Sequence, residues 1–209
     1  MAKDRAAQGD TTRPATTRGR LVVLSGPAGA GKTTVAERLC REAGIRRSVS
    51  ATTRPPRAGE VDGRDYFFVS EDEFRRRMAR DGFLEHARVH GHLYGTPRQP
   101  VEEALRAGES RLLVIDVQGA MQVKAHCPDA LLVFLDAPDA ALGERLAGRA
   151  TEDTAEQHKR RATAPAERHF REHYDRCVVN DDLERTVAEL RAILSGGGRP
   201  EARRHTLDG

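Results

Sequence analysis

Residues 26–34 read Gly-Pro-Ala-Gly-Ala-Gly-Lys-Thr-Thr, directly after the apolar run Leu21-Val22-Val23-Leu24. A buried strand feeding a glycine-rich turn that opens a helix is the setting of a phosphate-binding loop. Gly26, Gly29 and Gly31 have no Cβ, so the backbone can bring successive N–H groups up to phosphate oxygens. Lys32 is placed to reach the β- and γ-phosphates, and the Thr33 hydroxyl to ligate Mg²⁺. Pro27, Ala28, Ala30 and Thr34 complete the loop. The following Val35-Ala36-Glu37-Arg38-Leu39 has helical spacing, so the positive end of its dipole faces the same anion. The chemistry expected is binding of a nucleoside triphosphate.

The run Leu112-Leu113-Val114-Ile115-Asp116 ends in a carboxylate. An acid at the carboxyl end of a strand beside a phosphate loop can hold Mg²⁺, usually through water. It can equally form a turn; the neighbouring loop favours a site role for Asp116.

These groups need a sheet to present them. Apolar runs alternate with helical periods, as an α/β fold with a parallel sheet flanked by helices requires. Buried strands are expected at 21–24, 112–115, 131–135 and 177–179. Helices are expected at about 32–43, 99–107, 117–125, 139–148, 153–173 and 182–194. The segment 49–96 breaks this rhythm: it is polar, is punctuated by Pro55-Pro56, Gly59, Gly63, Gly91 and Gly95, and carries strand-like pieces at 66–69 and 86–89. It reads as an inserted small α+β region within a core made of 19–48 and 97–194. A second anomaly is 145–161, a dense cationic stretch with few core candidates.

The chain has 209 residues, and domains run roughly 100–200 residues, so one domain with insertions is the simplest organisation. Charged residues make up 32%, and no segment is long and apolar enough to cross a membrane. Lys and Arg number 35 against 32 Asp and Glu, and the arginines are scattered rather than gathered, so no nucleic-acid partner is expected. Three cysteines without close spacing read as free thiols of a reducing, cytoplasmic setting. Residues 1–18 and 195–209 cannot bury enough apolar surface to order themselves and are expected as disordered tails, the first of them without a secretory pattern. His86, His90 and His92 alternate along a strand, but with no fourth ligand nearby they are not read as a metal site. A monomer or a homodimer is expected.

Further runs carry a resemblance. Residues 48–69, Ser-Val-Ser-Ala-Thr-Thr-Arg-Pro-Pro-Arg-Ala-Gly-Glu-Val-Asp-Gly-Arg-Asp-Tyr-Phe-Phe-Val, resemble the signature of guanylate kinases. So do Phe83-Leu84-Glu85, Tyr94-Gly95-Thr96, Ile115-Asp116-Val117-Gln118-Gly119, Arg145-Leu146-Ala147-Gly148-Arg149 and Val179-Asn180-Asp181-Asp182-Leu183. They fall in family order and spacing from about 19 to 194. Taken singly, Arg57 to Glu60 would be a solvated loop, Tyr66 a strand residue and Glu85 an exposed acid; only the joint pattern is specific.

The resemblance implies transfer of the γ-phosphoryl of ATP to GMP, giving ADP and GDP with Mg²⁺, in purine nucleotide metabolism. It makes 49–96 the GMP-binding region and 141–161 a helical lid. Arg54, Arg57, Tyr66 and Tyr94 match the grip on the GMP phosphate, where guanidinium forks and phenol donors can orient a dianion. Ser50, Glu85 and Thr96 match the guanine readers. Asp116 matches an acid between the two nucleotides, Arg145, Arg149 and Arg160 match lid arginines that spread transition-state charge, and Asn180 matches a position near adenine. The chain departs from the pattern at Val114, where the family usually carries a further aspartate. It departs too at Ala150, a common glycine, and at His86 and Leu93, where aromatics are frequent. Two other readings stand beside this one: a non-catalytic module that binds a phosphopeptide, and a kinase of another acceptor such as a ribose phosphate. The first has no need of Lys32 and Thr33; the second has no need of Ser50 together with Glu85.

Overall fold

The computed structural model describes residues 18–89, 91–138 and 167–196. The lid segment with Arg145, Arg149 and Arg160, the helix expected at 139–148, most of that expected at 153–173, His90 and nearly all of both tails lie outside the described residues.

Strand β1 (Leu21–Ser25) is buried along its whole length. Both of its edges are hydrogen-bonded in parallel, to β7 (Arg111–Val114) and to β8 (Leu131–Asp136). β2 (Arg46–Arg47) and β9 (Arg176–Val179) complete a five-stranded parallel sheet in the order β2-β7-β1-β8-β9. Parallel strands of this kind are covered on both faces, which is why they read as unbroken apolar runs.

The period of two still sorts the side chains. Val22 and Leu24 face a core shared with Val35 and Leu39 of α1 (Lys32–Glu42) and Leu190 of α5 (Leu183–Ser195). Leu21 and Val23 face the opposite core, with Val101 and Leu105 of α3 (Arg98–Arg106) and Ala120 and Val123 of α4 (Val117–His126). Leu84, from outside this sheet, is inserted in the second core. Among the described residues no helix is long and apolar enough to cross a membrane.

The inserted region builds a second sheet, in the order β4-β3-β6-β5. Its members are β3 (Ala51–Thr52), β4 (Phe67–Phe68), β5 (Phe83–Val89) and β6 (His92–Pro97). β6 is antiparallel to both neighbours, and β4 lies parallel to β3. A helix, α2 (Glu71–Ala79), packs on it. The Ser70 hydroxyl accepts the Glu73 N–H at its start, and Glu71, Asp72 and Glu73 favour the positive end of its dipole. Phe74 is its single fully buried side chain and stacks on Phe83 at 4.3 Å between ring centres. Gly95 makes room for that pair: a Cβ there would lie 2.9 Å from both the Phe83 ring and the Glu85 carbonyl.

The described end of the helix expected at 153–173 is helical: residues 167 and 168 are α-helical, and His169–His173 tighten into a 3₁₀ turn with no buried residue. The chain then turns to extended backbone at Tyr174 and enters β9.

Because the small sheet has one modest core of its own, Phe74→Ala should destabilise it selectively. Loss of a buried phenylalanine costs about 3–5 kcal/mol. Hydrogen exchange should quicken across β5 and β6 while β1 and β8 keep their protection; uniform loss across both sheets would show that the two do not open separately.

Candidate functional site

The phosphate loop leaves the central strand between two occupied neighbours, and the passage is narrow. Gly26 sits at φ 142°, and a Cβ on it would lie 2.0 Å from the Leu135 carbonyl oxygen of β8. No other residue type fits there. Gly31, at φ 86°, occupies the N-cap of α1 in the left-handed region. Lys32 folds back over the loop, its Nζ donating to the carbonyls of Gly26 at 2.6 Å and Pro27 at 3.0 Å. Thr33 and Thr34 follow, exposed in the first turn of α1.

Asn180 is buried against the same loop. Its Nδ2 donates to the Ala30 carbonyl at 2.8 Å, its Oδ1 accepts from the Thr186 hydroxyl at 3.2 Å, and its N–H bonds the Asp136 carbonyl. The loop is thereby tied to the strand end at β9 and to α5.

Three polar groups that local sequence did not reveal gather here. Glu167 accepts the Ala28 backbone N–H and feels the Lys32 charge, while burial pushes its carboxyl above the usual range. Its Oε2 is buried without a partner among the described residues. Tyr174 sits edge-on to Phe134, and burial pushes its phenol up to about 12, with the Ser25 hydroxyl beside it. Nothing in the pattern around 167 or 174 announces this, because the contact is made only when β9 pairs beside β8.

On the small sheet, Arg54 is held in a cage. Its guanidinium meets both oxygens of Glu60 at 2.8 and 2.9 Å, Nε donates to the Tyr94 hydroxyl at 3.2 Å, and the group lies 5.5 Å from the centre of the Tyr66 ring. The Tyr66 and Tyr94 rings meet edge to face at 6.0 Å. Arg57 is exposed in the adjoining loop and joins through its backbone, its N–H donating to Glu60 at 2.8 Å. Hydrogen bonding to Arg54 holds the Glu60 carboxyl below the usual range. Glu60, given no role by the sequence, is thus the organiser of the arginine loop.

Two residues along β6 from Tyr94, on the same face, stands Thr96. It pairs with Glu85 across the sheet, and its hydroxyl donates to Glu85 Oε1 at 2.6 Å. The register that sets Ala51 against Gly95 brings Ser50 alongside. Glu85 is a buried carboxyl, and desolvation, with the nearby Asp116 charge adding to it, pushes it up to about 7. Asp116 caps α4, its Oδ1 accepting the Gly119 N–H at 2.8 Å. Val114 packs against the core at the end of β7 and brings no polar atom to this acidic pair.

The structure therefore forms three clusters: the loop at 26–34 with Asn180; Arg54, Tyr66 and Tyr94, with Arg57 beside them; and Glu85, Thr96 and Asp116, with Ser50 beside them. Arg145, Arg149 and Arg160 lie outside the described residues.

The guanylate kinase family model matches residues 18–196. The guanylate kinase of Symbiobacterium thermophilum is 49% identical over 179 residues, 85% of each chain. That of Rhodococcus jostii is 46% identical over 200 residues, 93% of this chain and 95% of its own. Among solved structures, the guanylate kinase of Anaplasma phagocytophilum is similar with a TM-score of 0.69 at 35% identity, covering 86% of each chain.

The raised Glu85 carboxyl makes a prediction about stability. With a folded value near 7 against 4.5 for the free group, the native state holds the proton through that interval. The stabilisation is complete below about pH 4.5 and is lost as the pH rises through 7. Glu85→Gln, which cannot ionise, should be more stable than the parent at pH 8 by on the order of 1–3 kcal/mol. The gain should shrink towards pH 5. Thermal melts at both pH values test this, and a less stable variant at pH 8 refutes it.

Proposed function

The chain belongs to the guanylate kinase family and is a phosphotransferase between ATP and GMP; we propose that the phosphate loop is its donor site and the small sheet its acceptor site. The observation that carries the division is Glu85. A buried carboxyl whose ionisation is opposed by its surroundings is a costly feature unless a ligand brings donors to it. Guanine brings two, N1–H and the exocyclic 2-amino group, on one edge; the Ser50 hydroxyl is suited to O6, while the Thr96 hydroxyl, donating to Glu85, holds the carboxylate that meets the base. Adenine presents a lone pair at N1 and would leave buried groups unpaired.

The remaining roles follow from charge. Arg54, Tyr66 and Tyr94 form a donor cage for the GMP phosphate, with Arg57 on the adjoining loop as a second guanidinium. Glu60 keeps Arg54 extended and pre-oriented; the arriving phosphate shares that cation. The loop N–H groups, the α1 dipole and Lys32 hold the donor phosphates. The acceptor is already an anionic phosphate oxygen, so no general base is needed. Catalysis reduces to in-line positioning, charge neutralisation and exclusion of water. Arg145, Arg149 and Arg160 are assigned, by the family pattern, to a lid that adds positive charge over the donor, and Asn180 to the adenine side. Hard oxygen donors suit Mg²⁺. The exposed Thr33 hydroxyl and the Asp116 oxygen not used for capping fit it, and the ion would neutralise phosphate charge when bound.

ADP release with ATP and Mg²⁺ should be rapid with GMP and dGMP and slow with AMP, CMP and UMP. An equal response to all five would remove the guanine-reading role. Lys32→Ala should remain folded by circular dichroism and lose about 10²-fold or more in turnover, since it removes a preorganised charge at the transferred group. Near-normal turnover would sink the donor-site assignment.

The pH dependence is equally specific. Protonated Glu85 offers an O–H where guanine offers N–H, so efficiency with GMP should fall about tenfold per unit below pH 7, while ATP affinity measured by calorimetry holds. In Glu85→Gln this acid limb should vanish and efficiency with GMP should drop about 10²-fold or more. Persistence of the limb in that variant would assign it to another group.

A further inference from the structure

β5 is an outer strand of the small sheet, paired along one edge by β6. Backbone groups on its other edge need partners, and α4 supplies them from side chains. Gln122 Oε1 accepts the His86 N–H at 3.1 Å, and Gln122 Nε2 donates to the His86 carbonyl at 3.0 Å. This is the two-point pairing a neighbouring strand would give. One turn on, His126 Nδ1 lies 2.9 Å from the Leu84 carbonyl, which can only accept, so Nδ1 carries the proton. One turn before Gln122, Gly119 faces the Glu85 carboxylate, and a Cβ there would stand 2.9 Å from its Oε2.

Positions 119, 122 and 126 form one stripe of the helix, laid against Glu85, His86 and Leu84 respectively. The Leu84 backbone sits at an irregularity in the β5–β6 pairing, between Phe83 and Glu85. At that point the sheet alone fixes the strand poorly. The contacts of the Glu85 carboxylate within the sheet come from Thr96, by hydroxyl and by N–H. The other side is closed by Gly119. The same helix begins at Asp116, whose carboxylate bonds the Gly119 N–H. One rigid element thus sets the spacing between the two acids.

We propose that Gln122 and Gly119 are positioning residues for selection of the acceptor base: they fix where the Glu85 carboxylate stands, so that both its oxygens meet guanine together. The proposal rests on the reading of Glu85 as the guanine-recognising group. A carboxylate accepting from two donors on one edge tolerates little displacement, since a shift that keeps the N1–H bond loses the 2-amino bond. IMP has the first donor and lacks the second, so the ratio of GMP to IMP efficiency reports this alignment directly.

The test is steady-state kinetics of Gln122→Leu and Gly119→Ala with GMP, IMP and ATP varied separately. Expected are a rise of about tenfold in KM for GMP, a KM for ATP within twofold of the parent, and a preference for GMP over IMP reduced by about tenfold. Gly119→Ala is the safer variant for folding, because the atom it meets is the end of a side chain. A parental GMP:IMP ratio in the folded Gly119→Ala enzyme overturns the proposal, as does an equal loss for ATP. Glu85→Gln, measured alongside, separates the two ideas. If it keeps the preference for GMP, the guanine-reading role falls and this inference with it. If it loses the preference while Gln122→Leu and Gly119→Ala keep it, the positioning inference alone fails.

Discussion

Everything in this chain is arranged around the exit of the central strand. β1 is hydrogen-bonded on both edges and buried on both faces, so its carboxyl end can turn in only one place, past the Leu135 carbonyl of its neighbour. Gly26 makes the turn possible, and Gly31 in the left-handed region then starts α1. A helix N-terminus is an anion site only where its N–H groups can be approached, and the crowding at Gly26 sets that approach. The tie from Asn180 to Ala30 extends the constraint to the far strand of the sheet. The loop is therefore held by β8 and the strand beyond it as well as by its own short-range contacts, such as those of Lys32 with the Gly26 and Pro27 carbonyls.

The second site follows a different logic. In the proposed role, Glu85 selects because it is badly solvated: the same burial that raises its proton affinity would make a mismatched base costly. Stability and selectivity pull against each other at this residue. Arg54 shows the opposite solution, a charge kept ready by a resident counter-ion, Glu60. On the proposed roles, the base would be read in a dry setting and the phosphate by a charge-balanced group.

Much of the large sheet was legible because its strands are buried on both faces and so carry unbroken apolar runs, as at 21–24 and 131–135. The phosphate loop was legible because its chemistry is local. The small sheet was legible only in part, as an insertion with strand-like pieces at 66–69 and 86–89, for the same physical reason in reverse. β3 and β4 are two residues each, β6 contains Gly95 and His92, and their pairing rests on long-range register. α2 buries one side chain fully, so a period of 3.6 is scarcely visible in it, although Ser70 followed by Glu73 is a start signal that could have been used. At 167–173 the described end of the expected helix is helical, α at 167 and 168 and tightening to a 3₁₀ turn at His169–His173. Glu167 and Tyr174 were opaque because their neighbours come from distant segments; Glu60, whose partners Arg54 and Arg57 lie within six residues, was within reach of local reading.

The two sites have to be brought to a fixed separation, since in-line transfer fails if the reacting oxygens are even about 1 Å out of place. The small sheet reaches the core of the large one through Leu84. α4 lies between them, and it is engaged at both ends of the problem. Its cap is Asp116, at the edge of the large sheet. Its Gln122 and His126 side chains complete the open edge of β5, in the small sheet. Its buried face, through Ala120 and Val123, belongs to the core that also receives Leu84. A strand whose edge is satisfied by helix side chains moves with that helix, so the Glu85 carboxylate, proposed as the base reader, is referenced to the core. Arg54, proposed for the phosphate, is tied instead to Tyr94 of β6 and to Glu60 of its own loop. On the proposed roles, α4 therefore references the base contact to the core, and the phosphate contact is referenced to β6.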